Sequence, residues 1–204
     1  MTTRRYTRAP VRSDTVERVL AAAETAVHEG RFHTLTMEDI AREAGVARAT
    51  LFSRFGSRLG VLEALNTRCG DSPEIHELRA ALDVEDPMRS LETLVRASCR
   101  VWERWGGIQR HLRAVVVLEP EVRPLIETQR TFQRRSLESL ALRLDEVGAL
   151  REPDPGRAAA MLHLLTSLEA FIELREESGL SLDETIAAVW TLVGGVVAVD
   201  PDQD

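Results

Sequence analysis

Residues 36–58, TMEDIAREAGVARATLFSRFGSR, divide into two short helices and a tight turn. Thr36, with Asp39 three positions on, has the form of an N-terminal cap whose acidic partner answers the first free amides; Ile40 and Ala44 then share a face at helical spacing. Gly45 falls where a glycine ends a helix by taking positive φ without a Cβ clash, so the chain turns at Gly45-Val46 and a second helix begins near Ala47. Two helices on so short a turn predict a helix-turn-helix. On the second helix Val46, Leu51 and Phe55 supply apolar contacts and leave Arg48, Ala49, Ser53 and Arg54 pointing outward. A short, flat, cationic face fits a DNA major groove, where arginine can fork onto guanine O6 and N7 and small residues can approach a thymine methyl. Ser57 is placed to cap a further helix whose first amides, beside Arg58, suit a phosphate oxygen.

Upstream, Ser13 or Asp14 is expected to open a first helix with Glu17 completing a capping box, and Val16, Leu20, Ala23 and Val27 repeat at three and four residues until Gly30. Phe32 and Leu35 in the connection plug a small core with Ile40, Leu51 and Phe55. Before it, residues 1–12 carry Arg4, Arg5, Arg8 and Arg12 around Pro10 and read as a flexible arm, either touching phosphates and a minor groove or simply solvated. A fourth helix, roughly 57–67 with Leu59, Leu62 and Leu65, links the 13–67 head to the body.

With the glycine turn, the T-L-F-S-R-F helix and the Ser57-Arg58 start followed by LGVLEAL, the stretch from roughly Val16 to Leu65 resembles the DNA-binding unit of the TetR family of bacterial transcription regulators. Carried over by position, the resemblance implies DNA contacts from Thr36, Ala47, Arg48, Ala49, Thr50, Phe52, Ser53, Arg54, Ser57 and Arg58. Ala47, Ala49 and Phe52 depart from the Ser, Gly and Tyr common in the family, so a cap and a phosphate-seeking hydroxyl are missing, and Arg54 offers a cation in their place. In such proteins the last two helices form a homodimer and the preceding ones enclose an inducer pocket. A repressor released by a small molecule is the implied function; a ligand-independent regulator and a helical protein-interaction module are the alternatives.

Charge agrees with a local nucleic-acid contact. Every one of the 26 basic residues is arginine; residues 1–60 hold ten against seven Asp and Glu, whereas the remainder holds 16 against 26, within a net charge of −7. Binding is thereby confined to the head. At 204 residues and 44% hydrophobic the chain can bury a sizeable helical core. Cys69 and Cys99 are too few for a disulfide framework or a zinc site and read as buried thiols. MTTRRYTRAPVR lacks an apolar signal core and the longest uncharged run, residues 185–199, is 15 long, so a cytoplasmic protein is expected. No nucleophile triad, glycine-rich phosphate loop, HExxH or paired-carboxylate motif is found, so neither an enzyme nor a bound cofactor is expected.

The body, residues 68–204, reads as all helical, giving an all-α chain of about nine helices: a three-helix head and a larger ligand-binding and dimerisation domain. One stripe runs from Met88 through Leu91, Leu94, Val95, Ser98, Val101, Trp102 and Trp105 and is expected to stop at Gly106-Gly107. Helices 108–118 and 121–147 follow. Residues 158–175 and 182–199 are apolar nearly all round, with Ala187, Ala188, Gly194 and Gly195 allowing close approach, and predict a four-helix homodimer interface. Trp102, Trp105, His111, Gln129, Phe132, His163 and Thr166 are the candidate lining of a mostly apolar effector pocket, each also readable as core. His111 and His163 have no carboxylate or thiol at metal-ligand spacing.

Overall fold

The structure, a computed structural model, describes residues 11–118 and 123–198. Ten α-helices occur among them: α1 (Val11–His28), α2 (Met37–Glu43), α3 (Arg48–Phe55), α4 (Arg58–Gly70), α5 (Pro73–Leu82), α6 (Pro87–Leu118), α7 (Arg123–Glu146), α8 (Pro155–Leu165), α9 (Leu168–Ile172) and α10 (Leu182–Val193). A 3-10 turn, Phe32–Thr34, precedes α2, and an isolated antiparallel bridge joins Leu150 to Val197. The fold is all-α. None of the helices among the described residues is long and apolar enough to cross a membrane.

The chain forms two compact units. The first runs to Arg68 and takes in Gly107–Leu112; the second holds Cys69–Gly106 and the chain from Arg113 onward. In the first, Val19, Leu20 and Ala23 of α1 and Ile40 and Ala41 of α2 are buried, as are Leu51 of α3 and Val61, Leu62 and Leu65 of α4. Phe32 is fully buried with its ring edge-on to His111, centroids 5.3 Å apart. The second unit packs Leu91, Leu94 and Val95 of α6 with Leu137, Leu140 and Leu144 of α7, Leu162 of α8 and Val189 and Val193 of α10. Cys69 and Cys99 are buried and form no disulfide, and burial pushes the Cys99 thiol up to about 11, away from the reactive thiolate form.

Several boundaries differ from the periodicity reading. Helix α1 already includes Val11 and Arg12, so Ser13 and Asp14 lie inside its first turn and do not cap it; Arg4, Arg5, Arg8 and Pro10 of the expected arm lie outside the described residues. Gly106-Gly107 does not end a helix. Interior glycine costs roughly 1 kcal/mol, but at Gly106 the bare backbone lets Leu168 close in, since an added Cβ would stand 3.0 Å from its Cδ1; one on Gly107 would make only ordinary contact with Val27 Cγ1 at 3.5 Å.

Ser72 caps α5, accepting from the Ile75 amide at 3.4 Å. The helix expected over 158–175 breaks at Thr166-Ser167. The Trp102 indole N–H takes the Thr166 carbonyl at 2.9 Å, and Ser167 starts α9 by accepting from the Ala170 amide at 3.2 Å. The last helix stops at Val193 with Gly194 as its C-cap, after which Ala198 N–H bonds to Ala149 O at 2.8 Å.

Candidate functional site

Helix α2 begins with a complete capping box. Thr36 Oγ1 accepts from the Asp39 amide at 3.1 Å, and the Asp39 carboxylate accepts from the Thr36 amide at 3.0 Å. The Thr36 hydroxyl and amide hydrogen bonds, then Arg42, hold the Asp39 carboxyl down at about 2, below its ordinary 3.8. A group depressed in the folded state contributes stability that is present above the ordinary value and lost as pH falls through the folded one. We therefore expect Thr36→Ala to destabilise the chain by about 0.5–2 kcal/mol at neutral pH. In urea denaturation the difference between the two proteins should shrink as pH falls from 3.8 through about 2.

Gly45 turns the chain at φ 61°, with its N–H on Arg42 O at 3.1 Å and the Val46 N–H on Ala41 O at 2.9 Å, satisfying the last carbonyls of α2. Arg18 of α1 donates to Gly45 O at 3.1 Å and pins the turn from behind. Ala47 stands at the N-cap of α3 in extended backbone (φ −68°, ψ 137°) and offers no side-chain cap. Its carbonyl accepts the Thr50 and Leu51 amides. At Gly60, one turn into α4, an added Cβ would lie 1.9 Å from Phe55 O, so only glycine allows α4 to pass this close to the end of α3.

Leu51 is fully buried and anchors α3, and Phe55 is half-buried beside it. Ala47, Arg48, Ala49, Thr50, Phe52, Ser53 and Arg54 are exposed and make up the outer surface of the helix. Arg48 lies against two groups at once: its Nε is 2.6 Å from Glu38 Oε1, and its guanidinium stands 5.1 Å from the centre of the Phe52 ring. Arg54 makes no ion pair with any described residue. Thr36, Ser57 and Arg58 are exposed as well. Ser57 Oγ accepts from the Gly60 amide at 3.1 Å, the cap read from the sequence. Arg58 spends one nitrogen on His33 O (2.8 Å) and Leu35 O (3.2 Å), tying α4 to the connection before α2. Arg31, whose Nη1 donates to both Glu43 carboxylate oxygens at 2.8 and 3.0 Å, ties that connection to α2 in turn. These clamps, and the Glu38 partner of Arg48, escaped the sequence reading because nothing in chain order announces which arginine meets which carboxylate.

The candidate pocket residues are not gathered into one place. His111 lies in the first unit against Phe32, and burial, then Arg58 and His33, push its pKa below 6.5. Trp102 and Thr166 pair with each other, and Thr166 Oγ1 turns back to Leu162 O at 2.8 Å. Trp105 is buried with its indole N–H 3.4 Å from Glu74 and Arg104 over its ring. Gln129 is half-buried on α7. His163 is half-buried on α8 with Nδ1 unpartnered. Only Phe132 lines the open cleft of about 750 Å³ on α7, together with Leu82, Thr131, Ser136, Leu140 and Arg143. No group of three or more metal-ligating side chains stands together among the described residues.

A helix pair with a glycine turn, a buried leucine beneath and an arginine-bearing outer face is a helix-turn-helix DNA-binding unit. Residues 19–65 match the model of the family described as bacterial regulatory proteins, tetR family. A helix-turn-helix transcriptional regulator of Mycobacterium tuberculosis is 28% identical over 159 residues, covering 76% of this chain and 79% of its own. The fold is also that of a transcriptional regulator from Saccharomonospora viridis solved in complex with choline (TM-score 0.78, 20% identity, 91% of this chain and 99% of that one). It is shared too by the ketosteroid transcriptional regulator KstR2 of Mycobacterium tuberculosis (TM-score 0.69, 19% identity, 89% and 94%). Over residues 19–65 the chain is thus similar to the tetR family of bacterial regulatory proteins, and over most of its length to a helix-turn-helix transcriptional regulator.

Proposed function

We propose that the protein is a homodimeric repressor that leaves a near-palindromic operator when a small molecule binds its helical body. The observation that carries this reading is the exposed outer face of α3, where Arg48 and Arg54 project from a helix anchored by fully buried Leu51. Arg48, Ala49 and Thr50 open α3 and are assigned to base edges. Thr36, Ala47, Phe52, Ser53, Arg54, Ser57 and Arg58 are assigned to the flanking backbone, where contacts fix register without carrying sequence information. The head, residues 13–67, reads DNA, and residues 68–204 bind effector and partner.

Dimerisation is supported by the solvent-facing surfaces of α8 and α10. Met161 and Leu164 on one, and Leu192 on the other, are 37%, 63% and 52% exposed, beside exposed Ala187 and Gly195. Large aliphatics in such positions mark an interaction surface. A two-fold dimer presents two α3 helices about 34–36 Å apart, one duplex turn. Regulation by ligand is supported by the choline bound to the Saccharomonospora viridis protein of the same fold. A ligand can move the equilibrium only through different affinities for the DNA-competent and incompetent arrangements. Screening small molecules against the complex with a selected duplex should yield one that binds and weakens duplex affinity about 5–150-fold. Duplex affinity unchanged by every molecule that binds would leave a ligand-independent regulator.

A further inference from the structure

Helices α6, α7, α8 and α9 bring five charged or titratable side chains together in the second unit. Arg113 of α6 pairs through Nη1 with Glu169 of α9. Arg130 and Arg134 stand exposed one turn apart on α7, and both act, with Arg113 and Glu169, on His163 of α8. Three guanidinium groups and one carboxylate thus act on His163, and Arg113 already engages that carboxylate. Two nitrogens of the cluster, Nδ1 of His163 and Nε of Arg113, are buried without any hydrogen-bond partner. Burial first, then Arg134 and Arg130, keep His163 below its ordinary 6.5, with Glu169 opposing and Arg113 adding to the repulsion. Unpaired buried polar atoms and an excess of like charge both cost stability unless a counter-charge with acceptor atoms joins them.

We propose that this cluster is the seat of an oxyanion head group, a carboxylate or a phosphate, on the effector. Arg130 and Arg134 supply the positive field, and Arg113 Nε and His163 Nδ1 supply directed donors. Arginine suits the task because its planar fork matches both oxyanions. The regulatory meaning of the site rests on the reading of the body as an effector domain; the anion site itself is testable without DNA.

Proton NMR on the full-length chain can follow its five histidines through pH titrations in chloride, phosphate and acetate at matched ionic strength. With its resonance assigned by His163→Gln, His163 is expected to titrate below 6.5 in chloride. It should rise by about one unit in phosphate or acetate, as a nearby opposite charge requires. A response confined to His163 marks the site, and the anion giving the larger response names the head group. Arg130→Gln with Arg134→Gln should raise the chloride value and abolish the response. No response to either anion, a common shift of all the histidines, or a response surviving the double substitution would overturn the site. Duplex binding is measured on the same samples: intact binding with no anion response fails the site alone, whereas a wild-type chain that binds no duplex fails the regulator reading.

Discussion

Replacing Arg48 and Arg54 together by alanine is expected to weaken binding to a selected duplex at least about 100-fold, since a bidentate arginine–guanine contact is worth about 1–3 kcal/mol and a lost cation adds a phosphate contact. The two arginines are not equivalent. Arg48 lies between Glu38 and the Phe52 ring, which orient its guanidinium before DNA arrives. Its removal costs a preorganised donor and leaves the Glu38 carboxylate uncompensated on a surface that must approach phosphates. Arg54, with no ion pair, loses only its own contact, so Arg48→Ala should relax base preference and Arg54→Ala should weaken all duplexes evenly and flatten the salt dependence. Both side chains are exposed, and such substitutions usually shift stability by less than about 0.5 kcal/mol. Unchanged thermal unfolding with lost duplex binding is the expected pair of results; binding that persists would remove α3 as the reading helix.

Leu164→Glu with Leu192→Glu is expected to turn the proposed dimer into a monomer. Each leucine is more than half exposed on its own chain, so the carboxylates are harmless there. In a two-fold interface each substitution appears twice, and an unpaired charge buried there costs several kcal/mol. Sedimentation velocity should show the monomer, with helical content kept. Duplex affinity should fall about 100-fold or more, because linked half-site contacts become separate binding events. A dimer that survives would move the interface off α8 and α10, and exposed Leu142 of α7 and Val147 just after it would be the next surface to test.

What was legible in the sequence is what local chemistry decides. Thr36 and Asp39 write the start of α2, Gly45 writes its end, and the spacing of Leu51 and Phe55 orients α3; each signal lies within a few residues of its effect. What was not legible depends on partners far along the chain. Gly106-Gly107 reads as a stop, yet α6 continues through both, and at Gly106 the bare backbone lets Leu168 of α9 pack close. Between residues 158 and 175 the local signal for a break is one capping serine, Ser167, within an otherwise apolar run, and the indole of Trp102, 64 residues from Thr166, takes the carbonyl there. The candidate pocket dispersed for the same reason. An apolar stripe tells which face of a helix is covered, but not by what, so His111 went to Phe32 and Trp105 to Glu74. Arg113, Arg130 and Arg134 carry no sequence signal that unites them, because it is the packing of α6, α7 and α8 that brings them to His163.

Selection of bound duplexes from a random pool, run in parallel on the wild-type chain and the Arg48→Ala, Arg54→Ala variant, tests most directly whether α3 reads DNA as one half of a symmetric pair. Two inverted half-sites centred about one helical turn apart, enriched by the wild type and not by the variant, is the predicted outcome. No enrichment, or the same motif from both proteins, would contradict it.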